Sequence, residues 1–249
     1  MLELRNVVVT YGYGRRAVRA VDDVSLAVAA NSIVGLVGES GSGKSTLAKA
    51  AVGLAPLASG AIAWKDVEFN PATRSRGDLI SRPLQYVFQD PYASLNPRMS
   101  VGASISEGLR GPSGQARSGR IAELLEMVRL DPSDVNKLPR QLSGGQRQRV
   151  AIARALAADP QILIADEITS ALDVSVQGAV LNLLKEIQSR TGVGILFISH
   201  NLAVVRYMAG SIAVMKSGQL VEYGPTEAVI ERPSHPYTRR LLEAVPSMA

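Results

Sequence analysis

The residues most able to do chemistry lie together in Gly38-Glu39-Ser40-Gly41-Ser42-Gly43-Lys44-Ser45-Thr46, which has the spacing G-x-x-x-x-G-K-S. Glycines at these positions let backbone N–H groups turn inward around an anion, and a helix beginning at the lysine adds the partial positive charge of its N-terminus. Lys44 then reaches the β- and γ-phosphates of a nucleotide, and the Ser45 hydroxyl holds Mg²⁺. The pattern predicts a phosphate cradle only between a strand and a helix. The flanks supply both: Ile33-Val34-Gly35-Leu36-Val37 reads as a buried parallel strand and Leu47 to Val52 as a helix. Gly38, Ser40, Gly41, Ser42, Gly43, Lys44, Ser45 and Thr46 are therefore the expected nucleotide ligands.

Three further apolar runs end in polar groups. Leu84 to Phe88 ends at Gln89, Gln161 to Ala165 at Asp166-Glu167, and Gly194 to Ser199 at His200. In open parallel α/β sheets ligands bind outside the carboxyl ends of the strands, so four such ends suggest one shared site. Asp166 suits Mg²⁺ beside the Ser45 hydroxyl. Glu167, adjacent to it, cannot easily share that ligand position and is placed to orient or deprotonate an attacking water; the alternative is an acidic pair at a helix N-cap. Gln89 could sense the metal or the water by hydrogen bonding. His200 is either structural or in contact with the γ-phosphate or the attacking water, and Asn201 is placed to cap the helix after it. Leu142-Ser143-Gly144-Gly145-Gln146 is a second glycine-rich helix start, with Ser143 and Gln146 spaced as a capping box, and hence a second potential anion site.

The elements that must position these groups follow in order. Leu2 to Tyr11 alternates as a strand, Gly12 to Arg16 reads as a turn, and Val18 to Val28 reads as a strand or pair interrupted at Asp22-Asp23. With Ala61 to Trp64 they predict a small antiparallel β layer around the first phosphate-binding strand. Tyr11 in that layer either packs or stacks on a nucleotide base. Asn70 to Arg82 is polar and turn-rich, Asp90 to Pro97 a loop with two prolines, and Gly111 to Gln115 a flexible connection. Ile121, Leu124, Leu125 and Val128 mark an amphipathic helix, as do Val180, Leu183, Leu184 and Ile187. Residues 92–155 thus read as a mainly helical insertion. Ser211 to Met215 and Gln219 to Glu222 predict a terminal hairpin around Ser217-Gly218.

The bulk properties fit a globular chain: of 249 residues, 46% are hydrophobic and 20% charged. There is no cysteine, which excludes disulfides, cysteine-bound zinc and iron–sulfur clusters. Met1 to Arg5 carries no signal-peptide pattern. No apolar run approaches the ~18 residues of a membrane span, so a chain that is soluble or held at a membrane by other subunits is expected. The net charge of +5 fits a solvated basic surface, or a face near acidic phospholipid or nucleic acid. With 4% aromatic residues and no basic stripe, direct nucleic-acid binding is not expected.

Taken together, loop 38–46, Gln89, Leu142 to Gln146, Asp166-Glu167, Ser170-Ala171-Leu172-Asp173 and His200 resemble the ATP-binding-cassette ATPases in order and spacing, across essentially the whole chain. Phe88 to Pro97, Thr169 to Gln177 and His235-Pro236-Tyr237-Thr238 look like the branch that imports oligopeptides, dipeptides or nickel. The resemblance implies an α/β fold: a P-loop NTPase (RecA-like) core, an antiparallel β subdomain, and the helical subdomain of residues 92–155 within a single domain of residues 1–249. It implies ATP and Mg²⁺, the latter held by Ser45, Gln89 and Asp166, with Glu167, His200, Lys44 and Gln89 catalytic. It also implies a second cassette, identical or paralogous, in a head-to-tail dimer. Ser143, Gly144, Gly145 and Gln146 of one cassette would then meet the ATP held by Lys44 of the other, with Asp173 across that interface. Tyr11 matches the position that stacks on adenine, with Tyr13 as the alternative. Transmembrane permease subunits would dock after Gln89, an extracytoplasmic binding protein would deliver substrate, and the chain would sit on the cytoplasmic face of the membrane. Two departures stand out: Ile168 replaces the proline usual after the glutamate, and the chain ends at Ala249, compatible with a short member or half of a two-cassette polypeptide. The competing classes are a nucleic-acid-acting cassette ATPase, whose coiled-coil insertions or tandem cassettes are not seen here, an exporter cassette, and a P-loop kinase, which leaves Leu142 to Gln146 unexplained.

Overall fold

The computed structural model describes residues 1–65, 67–69, 83–90, 94–109, 111 and 113–243. The predicted turn-rich segment 70–82, positions 91–93 of the proline loop and Pro112 lie outside the described residues. The chain forms two compact units, residues 1–81 with 194–249, and residues 82–193.

The first unit opens with β1 (Leu2–Tyr11), β2 (Val18–Val28) and β3 (Ile33–Val37). A 3-10 turn at Gly14–Arg16 links β1 to β2. β1 buries Leu2 and Leu4, then Val7 and Val9, so its alternation slips by one residue at Asn6. The slip is a bulge: Leu4 pairs with Leu26 but Val7 with Val24, and Asn6 takes a left-handed φ of 48°. Opposite, Asp23 also has a left-handed φ, 55°, and accepts a 2.9 Å bond from the Asn6 amide. The expected break at Asp22-Asp23 is therefore a bulge inside one continuous strand. Helix α1 (Lys44–Ala51) follows β3, and β4 (Ser59–Trp64) and β5 (Val67–Phe69) complete an antiparallel sheet of order β2-β1-β4-β5. β3 is not a member of that sheet.

The second unit begins with β6 (Leu84–Val87). It also carries the α-helices α2 (Val101–Ser106), α3 (Gly114–Met127) and α4 (Gly144–Leu156). Ile121, Leu124, Leu125 and Val128 are buried as their spacing predicts. β7 (Ile162–Asp166), buried at every residue, runs parallel to β6 with Val87 opposite Ala165. Helix α5 (Val174–Thr191) buries Val180, Leu183, Leu184 and Ile187 and ends at the left-handed Gly192.

The chain then rejoins the first unit through β8 (Gly194–Ile198), α6 (Leu202–Met208), β9 (Ser211–Lys216), β10 (Gln219–Pro225), α7 (Thr226–Glu231) and α8 (Pro236–Glu243). β3 lies between β8 and β9, parallel to both, and β10 pairs antiparallel with β9 as the predicted hairpin. β3 and β8 are buried at every residue, which is why both read as unbroken apolar runs. Among the described residues no helix is long and apolar enough to cross a membrane.

Candidate functional site

In the first unit, β3 delivers the loop directly into α1. Gly43 is the N-cap of that helix at φ 103°, and a Cβ there would lie 2.3 Å from the Ala20 carbonyl oxygen. At Gly38 a Cβ would lie 2.1 Å from the Met215 carbonyl oxygen. Neither position has room for a side chain, so the glycines are required by close backbone approach as well as by dihedral angle. The first turn of α1 contains no acidic residue, which leaves the positive helix end for an anion. Lys44 is only 4% exposed, and its Nζ donates to the carbonyls of Gly38 and Glu39, both at 2.8 Å, and to Ser42 Oγ at 3.4 Å. A desolvated ammonium held on loop oxygens is placed to exchange them for phosphate oxygens.

The parallel register of β3 and β8 sets Leu36 opposite Ile198, and the Ser199 amide bonds the Leu36 carbonyl at 3.2 Å. His200 thus leaves β8 at the same sheet edge as the loop and is exposed. Asn201 caps α6 as expected, accepting from Ala203 N at 3.0 Å and Val204 N at 3.3 Å. Tyr11 is 42% and Tyr13 96% exposed, so each is open to a stacking base.

In the second unit, β6 and β7 bring Gln89, Asp166 and Glu167 to one edge. Gln89 Nε2 donates to Glu167 Oε2 at 3.1 Å and to Ser170 Oγ at 3.3 Å. Ser170 Oγ donates back to the Glu167 carbonyl at 2.8 Å. Glu167 has a left-handed φ of 47°, a conformation that a following proline would disfavour but that Ile168, buried at 1% exposure, permits. Asp166 is 4% exposed and accepts a hydrogen bond from the Tyr86 hydroxyl. Burial, that bond and the neighbouring carboxylate push the Tyr86 hydroxyl far above its ordinary value, so it remains a donor at any working pH. Sequence reasoning missed Tyr86. The signal was present: the register pairs Tyr86 with Ile164, and Asp166 lies two residues further on the same face, about 6.6 Å along the strand.

The predicted capping box also stands in this unit. Ser143 Oγ accepts from Gln146 N at 3.2 Å, and Gln146 Oε1 accepts from Ser143 N at 2.9 Å. Those bonds leave the Ser143 hydroxyl proton available to an anion, and Ser143 is exposed. Gly144 and Gly145 form the first turn of α4, and exposed Asp173 is the N-cap of α5.

Strand, glycine loop, helix and buried lysine define a P-loop nucleotide-binding fold. The chain belongs to the ABC transporter family, whose model matches residues 21–170; residues 221–249 match the C-terminal region of oligopeptide/dipeptide transporters. A Brucella abortus protein named for ATP binding in peptide import is 48% identical over 237 residues, covering 94% of this chain and 71% of that protein. The oligopeptide transport ATP-binding protein OppF of Bacillus subtilis is 44% identical over 99% of this chain and 82% of its own length. The glutathione import ATP-binding protein GsiA of Salmonella typhimurium is 47% identical over 93% of this chain but only 38% of its own length. Among solved structures, an ATP-binding cassette captured as a post-hydrolysis dimer with ADP and Pi superposes with a TM-score of 0.80 at 32% identity, covering 91% of this chain and 99% of that one.

Proposed function

We propose that the chain is the ATP-hydrolysing subunit of an ABC importer for peptides or a related small solute. The carrying observation is the Gly38–Thr46 loop, with buried Lys44 on the loop carbonyls and a helix end without acidic side chains. Lys44 and the amides of the loop bind the β- and γ-phosphates of ATP, with Ser40, Gly41, Ser42, Gly43 and Thr46 lining the cradle. Tyr11, or Tyr13, stacks on the base. Glu167 orients and deprotonates the attacking water, Gln89 holds the Glu167 carboxylate, and His200 meets the γ-phosphate.

Hard oxygen donors, the Ser45 hydroxyl and the Asp166 carboxylate, would suit Mg²⁺ by their chemistry, and the Gln89 amide oxygen would be a further donor. Among the described residues no three of His, Cys, Asp and Glu group as a metal site. That leaves the coordination Mg²⁺ prefers in nucleotide sites, one or two protein oxygens completed by phosphate and water. When bound, Mg²⁺ neutralises charge developing on the phosphate oxygens.

Ser143, Gly144, Gly145 and Gln146 would complete the site of a second cassette, with Asp173 at that interface. The dimeric form of the ADP- and Pi-bound neighbour supports this reading. The relatives named for peptide and oligopeptide transport, and the match over residues 221–249, support the class of cargo. Permease subunits in the membrane would hold the chain at the cytoplasmic face, with an extracytoplasmic binding protein supplying substrate.

Glu167→Gln tests the assignment. Turnover should fall by at least the roughly 10²- to 10⁴-fold that a general base contributes, with ATP still bound. Hydrolysis at the wild-type rate would remove Glu167 from the mechanism.

A further inference from the structure

The phosphate loop is also held from behind by residues near the end of the chain. The Tyr237 hydroxyl accepts a 3.0 Å hydrogen bond from the backbone N–H of Glu39, 198 positions earlier and inside the loop. Tyr237 is 2% exposed, although it belongs to a short helix whose Arg239 and Arg240 face solvent. Its seat is built in layers. His235 Nδ1 accepts from Tyr237 N at 3.1 Å, so the imidazole caps α8. Glu222 of β10 accepts from Ser234 N at 2.8 Å, Ser234 Oγ at 2.9 Å and His235 N at 3.1 Å. Lys216 Nζ lies 5.2 Å from the centre of the Tyr237 ring.

The peptide that Tyr237 grips is the one that holds Lys44. Gly38 C=O and Glu39 N–H belong to a single planar trans unit, so they point in opposite directions and turn together. On one side the carbonyl accepts from Lys44 Nζ at 2.8 Å; on the other the amide donates to Tyr237. Gly38 has no Cβ to resist rotation, and its φ of 153° is open mainly to glycine.

We propose that Tyr237 is a positioning residue for Lys44: its hydroxyl orients the Gly38–Glu39 peptide, and through that carbonyl sets where the ammonium group waits for the phosphates. The His-Pro-Tyr segment thereby becomes part of the nucleotide site without touching nucleotide. The inference rests on the reading of Lys44 as a phosphate ligand and adds a second tier to it.

The test is nucleotide affinity of the full chain in a four-protein cycle: wild type, Tyr237→Phe, Lys44→Met and the double variant, titrated with Mg²⁺-ATP. Tyr237→Phe removes one oxygen and should raise the ATP dissociation constant about three- to tenfold, the range of one net hydrogen bond. In the Lys44→Met background the same substitution should cost nothing further, because the group it acts through is gone. An affinity within twofold of wild type for Tyr237→Phe, or an equal penalty in both backgrounds, overturns the proposal. If Lys44→Met itself binds ATP as wild type does, the underlying reading of Lys44 fails instead, and the positioning role falls with it. Should Tyr237→Phe not fold, hydrogen exchange in the wild-type chain decides: a protected Glu39 amide is expected, and an unprotected one removes the contact.

Discussion

Tyr86→Phe isolates the support given to the proposed metal carboxylate. The phenol of Tyr86 is the donor to Asp166, and its ring lies 4.7 Å from that of Phe88. Phenylalanine keeps that ring contact and deletes only the hydroxyl. A hydrogen bond to a charged group contributes about 1.5–3 kcal/mol, equivalent to roughly 10- to 150-fold in a binding constant. Partners that orient a metal ligand typically change metal affinity by about 10- to 100-fold. Tyr86 is half-buried, so water replaces part of the lost bond and the expectation lies near the lower end, about tenfold. The assay is the Mg²⁺ dependence of ATP hydrolysis by the full chain, paired with nucleotide binding in the absence of metal. Tyr86→Phe should shift half-saturating Mg²⁺ upward by about tenfold and leave metal-free nucleotide binding unchanged. An unshifted Mg²⁺ curve in a folded variant would refute the reasoning, because the hydroxyl would then do nothing for the carboxylate it touches.

Two further perturbations follow from the same geometry. Gly43→Ala puts a Cβ 2.3 Å from the Ala20 carbonyl oxygen at a φ of 103°, whereas Gly41→Ala, at φ 79°, meets nothing within 4 Å. Urea unfolding should show Gly43→Ala losing more than about 1 kcal/mol, and more than Gly41→Ala, with ATP binding lost in the former; equal losses would deny the close approach. The second concerns acid. Burial pushes the Glu222 carboxyl up, but the hydrogen bonds it accepts from the Ser234 and His235 amides and the Ser234 hydroxyl outweigh it and hold the group below its ordinary value of 4.5. A lowered folded value means the anchoring is complete above about pH 4.5 and weakens as pH falls through the lower folded value. Hydrogen exchange over residues 234–243 should therefore quicken in acid in the wild type but not in Glu222→Gln, which should be loosened at every pH; identical acid profiles would exclude Glu222 as the titrating group.

Much of the fold was legible because its signals are local. β3, β7 and β8 are five-residue runs buried throughout; β7 ends in Asp166, while β3 leads into the Gly38 loop and β8 into Ser199 and His200. The capping box needs only Ser143 and Gln146 three positions apart, and it forms. What failed was local too, but ambiguous. Asp22-Asp23 has the composition of a turn, and only the partner residue Asn6, left-handed and bonded to Asp23, turns it into a bulge within one strand. Gln89 and Glu167 were placed at strand ends, but their contact depends on the register of β6 against β7, which no single run of residues encodes. Tyr86 was hidden for the same reason: its hydroxyl acts one strand away from its own backbone.

The phosphate loop poses the sharper form of this problem. A loop that offers amides to an anion cannot spend those same amides on bonds to itself, so much of its shape has to be held from outside. Here Ser42 N donates to the Glu39 carbonyl within the loop, and Glu39 N to Tyr237 outside it. The restraints come from distant stretches. Ala20 closes on Gly43, Met215 closes on Gly38, and Gly218 N donates to the Ser42 carbonyl at 2.9 Å. The motif therefore encodes which group is bound, while β2, the β9–β10 hairpin and α8 determine how rigidly the loop waits for it. Rigidity before binding lowers the ordering cost at binding, so substitutions at positions 20, 215, 218 and 237 should alter nucleotide affinity even though none of these residues carries phosphate chemistry.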